Sequence, residues 1–185
     1  MLEESSWENR IDFLKKRVYN GHKPQKGAKE MVYYAMHPSP LGELLLTADD
    51  SGITGLWMDR DPPAGAISGG VVLAQARSWL DDYFGGNVRE VDFPLNPAGT
   101  AFQRRVWALL RAIPAGESVT YGSLAKELGE KLSPQAIGGA VGRNPISILI
   151  PCHRVLGAGG RLTGYAGGLD RKRWLLEHEG IGYRE

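Results

Sequence analysis

The stretch Tyr121-Gly122-Ser123-Leu124-Ala125-Lys126-Glu127-Leu128-Gly129-Glu130-Lys131-Leu132-Ser133-Pro134-Gln135-Ala136-Ile137-Gly138-Gly139-Ala140-Val141-Gly142-Arg143 decides the fold of the second half of the chain. Residues 123–128 read as a short helix, and Gly129 opens a turn over 129–132. Ser133 is a strong N-cap. Pro134 suits the first helical position, where the missing N–H would have no intrahelical partner anyway. A second helix then runs to about residue 143. Two short helices around a four-residue turn predict a helix-turn-helix. Ala136, Gly138, Gly139, Ala140 and Gly142 leave one flank of the second helix almost bare, so its backbone can approach a groove or pack closely on the first helix.

Upstream, residues 102–112 place Phe102, Val106, Leu109 and Leu110 on one helical face, and Ile113-Pro114-Ala115-Gly116 stops that helix. Asn96-Pro97-Ala98-Gly99-Thr100 reads as a linker between two domains. Before it, residues 31–36, 43–48 and 53–58 read as strands separated by the turns Pro38-Ser39-Pro40-Leu41-Gly42 and Asp49-Asp50-Ser51-Gly52, a β-meander. Residues 71–84 carry Val72, Ala76, Trp79, Leu80 and Tyr83 at helical spacing, stopped by Gly85-Gly86, and residues 93–95 suggest one more strand. Downstream, residues 146–150 are a short apolar run leading to Cys152, and residues 170–180 are a last helix with Gly180 as its stop. The expected fold class is α+β. An N-terminal domain of β-meander plus helix spans residues 31–98. A mostly helical C-terminal domain, residues 99–185, holds the helix-turn-helix and the cysteine. Residues 1–30 form a polar extension in which Trp7, Ile11, Phe13, Leu14 and Val18 could line a short amphipathic helix.

A chain of 185 residues with 42% hydrophobic and 23% charged residues is of ordinary globular composition. No apolar run approaches the length of about 18 residues that a membrane helix needs. The start, Met1-Leu2-Glu3-Glu4-Ser5, is acidic where a signal peptide is basic, and a single cysteine rules out an internal disulfide. A cytoplasmic protein is expected. The net charge of +1 is unevenly divided: residues 100–185 hold 12 Lys/Arg against 7 Asp/Glu, and residues 1–99 hold 10 against 14. A basic second half suits a polyanionic partner.

That single cysteine lies in Ile150-Pro151-Cys152-His153-Arg154-Val155. With no second thiol, Cys152 is a poor metal ligand. It is therefore either a buried filler or a nucleophile. An imidazole and a guanidinium follow it directly, and positive neighbours favour the thiolate. A cysteine hydrolase using Cys152 and His153 is one chemistry this permits; transfer of a group to the sulfur is another. On an extended segment, adjacent side chains point to opposite faces, so His153 is expected to act on the sulfur through a water.

Five segments, taken together, carry a resemblance. They are Phe102-Gln103-Arg104-Arg105-Val106-Trp107, Tyr121-Gly122-Ser123-Leu124-Ala125, Gly142-Arg143-Asn144-Pro145, Pro151-Cys152-His153-Arg154-Val155, and Gly164-Tyr165-Ala166-Gly167-Gly168 followed by Lys172 and Glu179. Their order and spacing resemble the O6-alkylguanine-DNA alkyltransferases, also called methylated-DNA–protein-cysteine methyltransferases. The resemblance is close over residues 100–180. The meander is compatible with the family's N-terminal domain, and residues 1–30 lie outside.

The resemblance implies a suicidal DNA-repair methyltransferase. It would be a monomer without cofactor, metal or membrane association, acting on double-stranded DNA that contains O6-alkylguanine, with O4-alkylthymine as a further candidate substrate. Cys152 would be the alkyl acceptor, His153 would take its proton through a water, and Glu179 would fix the tautomer of His153. Asn144 would brace the turn linking the DNA-binding helices to an active-site strand. Tyr121 would push on the target phosphate and hydrogen-bond the guanine. Ser133, Gln135, Ala136, Gly138 and Arg143 would meet the DNA. The backbone of Cys152 and Val155 would grip the exocyclic amine. The segment around Ala158 and the Gly164–Gly168 loop, with Tyr165 and Ala166, would wall the pocket, and Arg154 would help pack the domain. A relative that binds alkylguanine without repairing it would lack the cysteine, which is present here. Two departures stand out. Gln135 occupies the position where the family has an arginine that fills the gap left by the flipped base. A zinc site built from N-terminal cysteines, found in some relatives, has no ligands here.

Overall fold

A computed structural model of the chain describes residues 31–129 and 132–185. The helix expected near the N-terminus lies outside the described residues, as does the middle of the 129–132 turn. The described residues divide into two units, one of 31–98 with 145–149 and one of 99–144 with 150–185.

In the first unit, turn chemistry sets the topology. Strands β1 (Tyr33–Ser39), β2 (Gly42–Asp49) and β3 (Gly52–Met58) form the expected meander, antiparallel throughout. At the second corner Asp49 Oδ1 accepts from the N–H groups of Ser51 and Gly52, a side-chain mimic of a backbone turn. Gly52 has φ 146°, and a Cβ there would lie 2.5 Å from the Pro94 carbonyl oxygen, so glycine is required. A short strand with no signal in the sequence, β4 (Ile67–Ser68), pairs parallel to β1 and completes the order β3-β2-β1-β4. Leu44, Leu45 and Leu46 are buried in succession because β2 is central and buries both faces. Helix α1 (Val71–Phe84) buries Leu73, Ala76, Trp79, Leu80 and Tyr83. Leu73, rather than the expected Val72, completes that stripe.

The strand expected at 93–95 is reduced to a single bridge between Leu95 and Ile53. Pro94 and Pro97 lack the N–H groups a longer ladder would need. The apolar run after Asn144 also belongs to this unit. Leu56 N donates to Pro145 O at 2.9 Å, and Ser147 N donates to Leu56 O at 3.1 Å.

The second unit begins with a cap rather than a slack linker. Thr100 Oγ1 accepts from Gln103 N, and Gln103 Oε1 accepts from Thr100 N, a capping box for α2 (Ala101–Ala112). Thr100→Ala is expected to lower stability by about 1 kcal/mol, read as a lower urea midpoint with an unchanged m-value. Trp107, 1% exposed, donates from Nε1 to Ala140 O at 2.9 Å and ties α2 to the later helix α4 (Pro134–Gly142). Helix α3 (Tyr121–Glu127) starts two residues before the expected Ser123, because Thr120 and Ser123 form a second capping box. Ser133 caps α4 as expected, its Oγ accepting from Ala136 N at 3.2 Å. Strands β5 (Val119–Thr120) and β6 (Val155–Leu156) pair in parallel over two residues. Helix α5 (Leu169–His178) is followed by Gly180 at φ 68°. The fold class is α+β, as expected. Among the described residues no helix is long and apolar enough to cross a membrane.

Candidate active site

The chain leaves the second unit after Asn144 and returns at Ile150. Asn144 closes this excursion: its Nδ2 donates to Ile150 O at 2.8 Å, and its side chain also hydrogen-bonds the Cys152 thiol. The expected active-site strand is absent. Pro151 sits at φ −80°, ψ 66°, and Cys152–Arg154 form one turn of 3-10 helix, with extended structure resuming only at Val155. In that turn, successive side chains diverge by about 120° rather than 180°. The opposite-face argument for a water between Cys152 and His153 therefore does not apply.

Behind the thiol runs a buried chain of charge and hydrogen bonds. His153 and the Glu179 side chain are both 0% exposed, and His153 Nε2 lies 2.8 Å from Glu179 Oε1. Arg154 grips the same carboxylate in a fork, Nε to Oε2 at 2.6 Å and Nη2 to Oε1 at 2.9 Å, while Nη1 donates to Ile113 O at 2.6 Å. Arg154 thus does more than fill space. Burial alone would favour a neutral Glu179, but the hydrogen bonds from His153 and Arg154 outweigh it and hold the carboxyl well below the usual range. Burial keeps His153 neutral despite Glu179. The network assigns the ring proton to Nε2, as donor to the carboxylate. Nδ1 is then a buried lone pair with no partner among the described residues.

The thiol itself departs from expectation. Cys152 is 6% exposed, and burial pushes its pKa up, with the Asn144 hydrogen bond and the Lys172 cation pulling the other way without overcoming it. Arg154, two residues on in sequence, is committed to Glu179 and Ile113, and His153 is uncharged. Neither makes a standing thiolate.

Cys152 opens onto a cleft of about 340 Å³ lined by Tyr121, Gly138, Val141, Gly142, Asn144, Gly164, Tyr165 and Ala166 besides the cysteine. Eight residues singled out from the sequence, Tyr121, Gly138, Gly142, Asn144, Cys152, Gly164, Tyr165 and Ala166, therefore meet in one place. Ser133, Gln135, Ala136 and Arg143 are exposed at the two ends of α4, outside the cleft lining. Arg143 Nη1 donates to Gly139 O at 3.2 Å. Val155 is fully buried, and its carbonyl already accepts from Lys172. Ala158 does not line the cleft. It is exposed in a 3-10 turn, Ala158–Gly160, where Gly159 and Gly160 at positive φ carry the chain outward.

Lys172 received no role of its own from the sequence. It shares the inward stripe of α5 with Leu175 and Leu176, one turn before Glu179 just past the helix end, and a lysine at such an apolar position is the signal that could have found it.

Residues 32–97 match the model of the 6-O-methylguanine DNA methyltransferase ribonuclease-like domain, and residues 101–181 match that of the 6-O-methylguanine DNA methyltransferase DNA binding domain. The methylated-DNA–protein-cysteine methyltransferase of Methanosarcina acetivorans is 42% identical over 154 residues, covering 80% of this chain and 99% of the relative. The Haemophilus influenzae protein of the same name is 43% identical over 158 residues, covering 82% and 88%. Among solved structures, Mycobacterium tuberculosis OGT in complex with DNA matches with a TM-score of 0.74 at 42% identity, over 80% of this chain and 92% of that one. The O6-methylguanine-DNA methyltransferase of Pyrococcus kodakaraensis shares the fold, with a TM-score of 0.51 at 23% identity, over 82% of this chain and all of that one.

Proposed function

The chain belongs to the 6-O-methylguanine DNA methyltransferase family, and from that premise we propose that it repairs duplex DNA by transferring the alkyl group of O6-alkylguanine to its own Cys152, once per molecule. The observation that carries this is the thiol of Cys152 facing a base-sized cleft with the His153–Glu179–Arg154 chain behind it.

A guanine O6 inside a duplex is out of reach, so the base must be extruded into the cleft. Gly138 and Gly142 of α4 offer one wall with little side chain to obstruct it, and Tyr165 and Ala166 offer another. The thiol proton passes to Nδ1 of His153, the buried lone pair left open by the bond to Glu179. Glu179 stabilises the imidazolium that forms, and Arg154 keeps Glu179 charged. The sulfur attacks the alkyl carbon, the carbon–O6 bond breaks, and its electron pair stays with guanine. The base takes up one proton and leaves neutral, so the thiol proton is conserved overall. The Tyr121 phenol, protonated at neutral pH like any tyrosine and pushed further up by burial, can donate a hydrogen bond toward the leaving base.

An ordinary thiol of pKa about 8.5 is only about 3% ionised at neutral pH, and burial lowers that share further. A thiolate of lower pKa would gain population but lose nucleophilicity. Positioning the base against the sulfur, with deprotonation on arrival, is therefore the main source of rate. The product is a thioether, a poor leaving group, and the chain has no second thiol to relieve it. The protein is consumed. Its buried thiol is suited to the reducing cytoplasm, where it acts as a monomer.

Incubation with an O6-methylguanine duplex should add one methyl per molecule, mapped by mass to the peptide containing Cys152. Repeated turnover, or methylation of another residue, would count against the proposal.

Gln135, exposed near the start of α4, acts on the DNA side. Its amide can fill part of the gap left by the extruded base and hydrogen-bond the orphaned partner, without a charge. Gln135→Arg should tighten duplex binding by about 1 kcal/mol, the scale of one added charge-assisted contact. Gln135→Ala should slow repair in duplex far more than reaction with free O6-benzylguanine, which needs no flipping. Equal losses on the two substrates would reduce Gln135 to a helix-start residue.

A further inference from the structure

Lys172 is fully buried, and its Nζ donates to Val155 O at 2.6 Å and to Thr163 O at 2.7 Å. The two carbonyls belong to different segments. Val155 follows the Cys152 turn directly, and Thr163 directly precedes Gly164, Tyr165 and Ala166 of the cleft wall. A second, independent closure joins the same segments. Gly157 N donates to Arg161 O at 2.7 Å, and a Cβ on Gly157 would lie 2.8 Å from Thr163 Cγ2. Two carbonyl dipoles aimed at one point repel each other unless a donor stands between them, and an apolar side chain there would leave both unpaired.

Accepting the transfer reaction above, we propose that Lys172 is a positioning residue whose buried ammonium clamps the exit of the Cys152 turn to the entrance of the 164–166 wall, fixing the gap in which the flipped base meets the sulfur. The charged and titratable groups near it are Cys152 and His153, with Glu179 and Arg154 behind the imidazole. Burial lowers the amine to about 8, so the clamp loses its charge just above neutral pH. A neutral amine donates more weakly to carbonyls than an ammonium does. The same cation favours the Cys152 thiolate.

The test uses the full chain and two reactions of Cys152: methyl transfer from an O6-methylguanine duplex, and alkylation by iodoacetamide, which needs no base in the cleft. Lys172→Met should slow transfer about tenfold or more, while its iodoacetamide reaction, measured where the thiol is fully ionised, stays at the wild-type rate. Lys172→Arg, which keeps a buried cation able to donate to both carbonyls, should recover part of the transfer rate lost in Lys172→Met. In the wild type, transfer should fall as pH rises through about 8 while alkylation keeps rising. A folded Lys172→Met that transfers at the wild-type rate overturns the clamp. Should that variant not fold, the two wild-type profiles decide, and parallel profiles overturn it. Absence of transfer in every protein, wild type included, refutes the repair function. In that event amide hydrogen exchange over residues 155–166 judges the clamp: faster exchange in Lys172→Met supports it and unchanged exchange overturns it.

Discussion

Cys152→Ala is expected to abolish alkyl transfer completely and to leave binding to an O6-methylguanine duplex intact. The sulfur is the atom that forms the new bond, and the 185 residues contain no other thiol to substitute for it. The exposed residues of α4 that face DNA in the proposed complex do not include Cys152, so the variant retains its docking surface. Removal of one buried sulfur atom leaves a small cavity and unpairs the Asn144 contact, at a cost of about 1 kcal/mol in stability. Transfer of labelled methyl to protein measures the first effect and a gel-shift titration the second. Residual methyl transfer in the alanine variant would mean that another atom accepts the group.

Glu179→Gln should be the next most damaging change, for two separable reasons. Arg154 and Glu179 form a buried fork, and removing one charge leaves the other without compensation, a loss of about 3–5 kcal/mol. The His153 imidazole also loses the anion that stabilises its charged form, so transfer by protein that still folds should fall about 100-fold or more. Combining Glu179→Gln with Arg154→Met should recover much of the stability and none of the transfer. Recovery of both would make Glu179 a purely structural partner of Arg154.

Acid unfolding offers an independent check on the same carboxylate. Its pKa in the folded protein lies below the unfolded value of about 4.5, so its stabilising contribution is complete above that pH. As pH falls below it, the unfolded chain takes up the proton first and the contribution is lost. Urea midpoints of the wild type should drop through this range, and Glu179→Gln should lack that part of the drop.

Much of the framework follows from neighbours along the chain. Ser133-Pro134 starts a helix because a hydroxyl satisfies an unpaired N–H and proline forgoes one. Asp49-Asp50-Ser51-Gly52 turns the chain because an aspartate side chain can bind N–H groups two and three residues ahead. Cys152 stands out by being alone, and its flanking segments carry the resemblance. The two capping boxes were also legible in principle, since Thr100 and Gln103, and Thr120 and Ser123, each stand three residues apart.

The chemistry of the site depended on neighbours in space. Arg154 follows Cys152 closely in the chain, yet its charge is directed to Glu179, 25 residues away, and to Ile113, 41 residues away. A thiol expected to be ionised is instead raised by burial, because desolvation acts on a group according to what surrounds it, not what precedes it. The parallel pairings of β1 with β4 and β5 with β6, and the alignment of residues 145–149 with β3, bring distant backbone together and leave no local periodicity to read. Lys172 is the sharpest case. The sequence by itself determined that a lysine lies on the inner stripe of the last helix, and only the tertiary structure brought two carbonyls to its amine, because burying a charge is tolerated only where the fold supplies its partners.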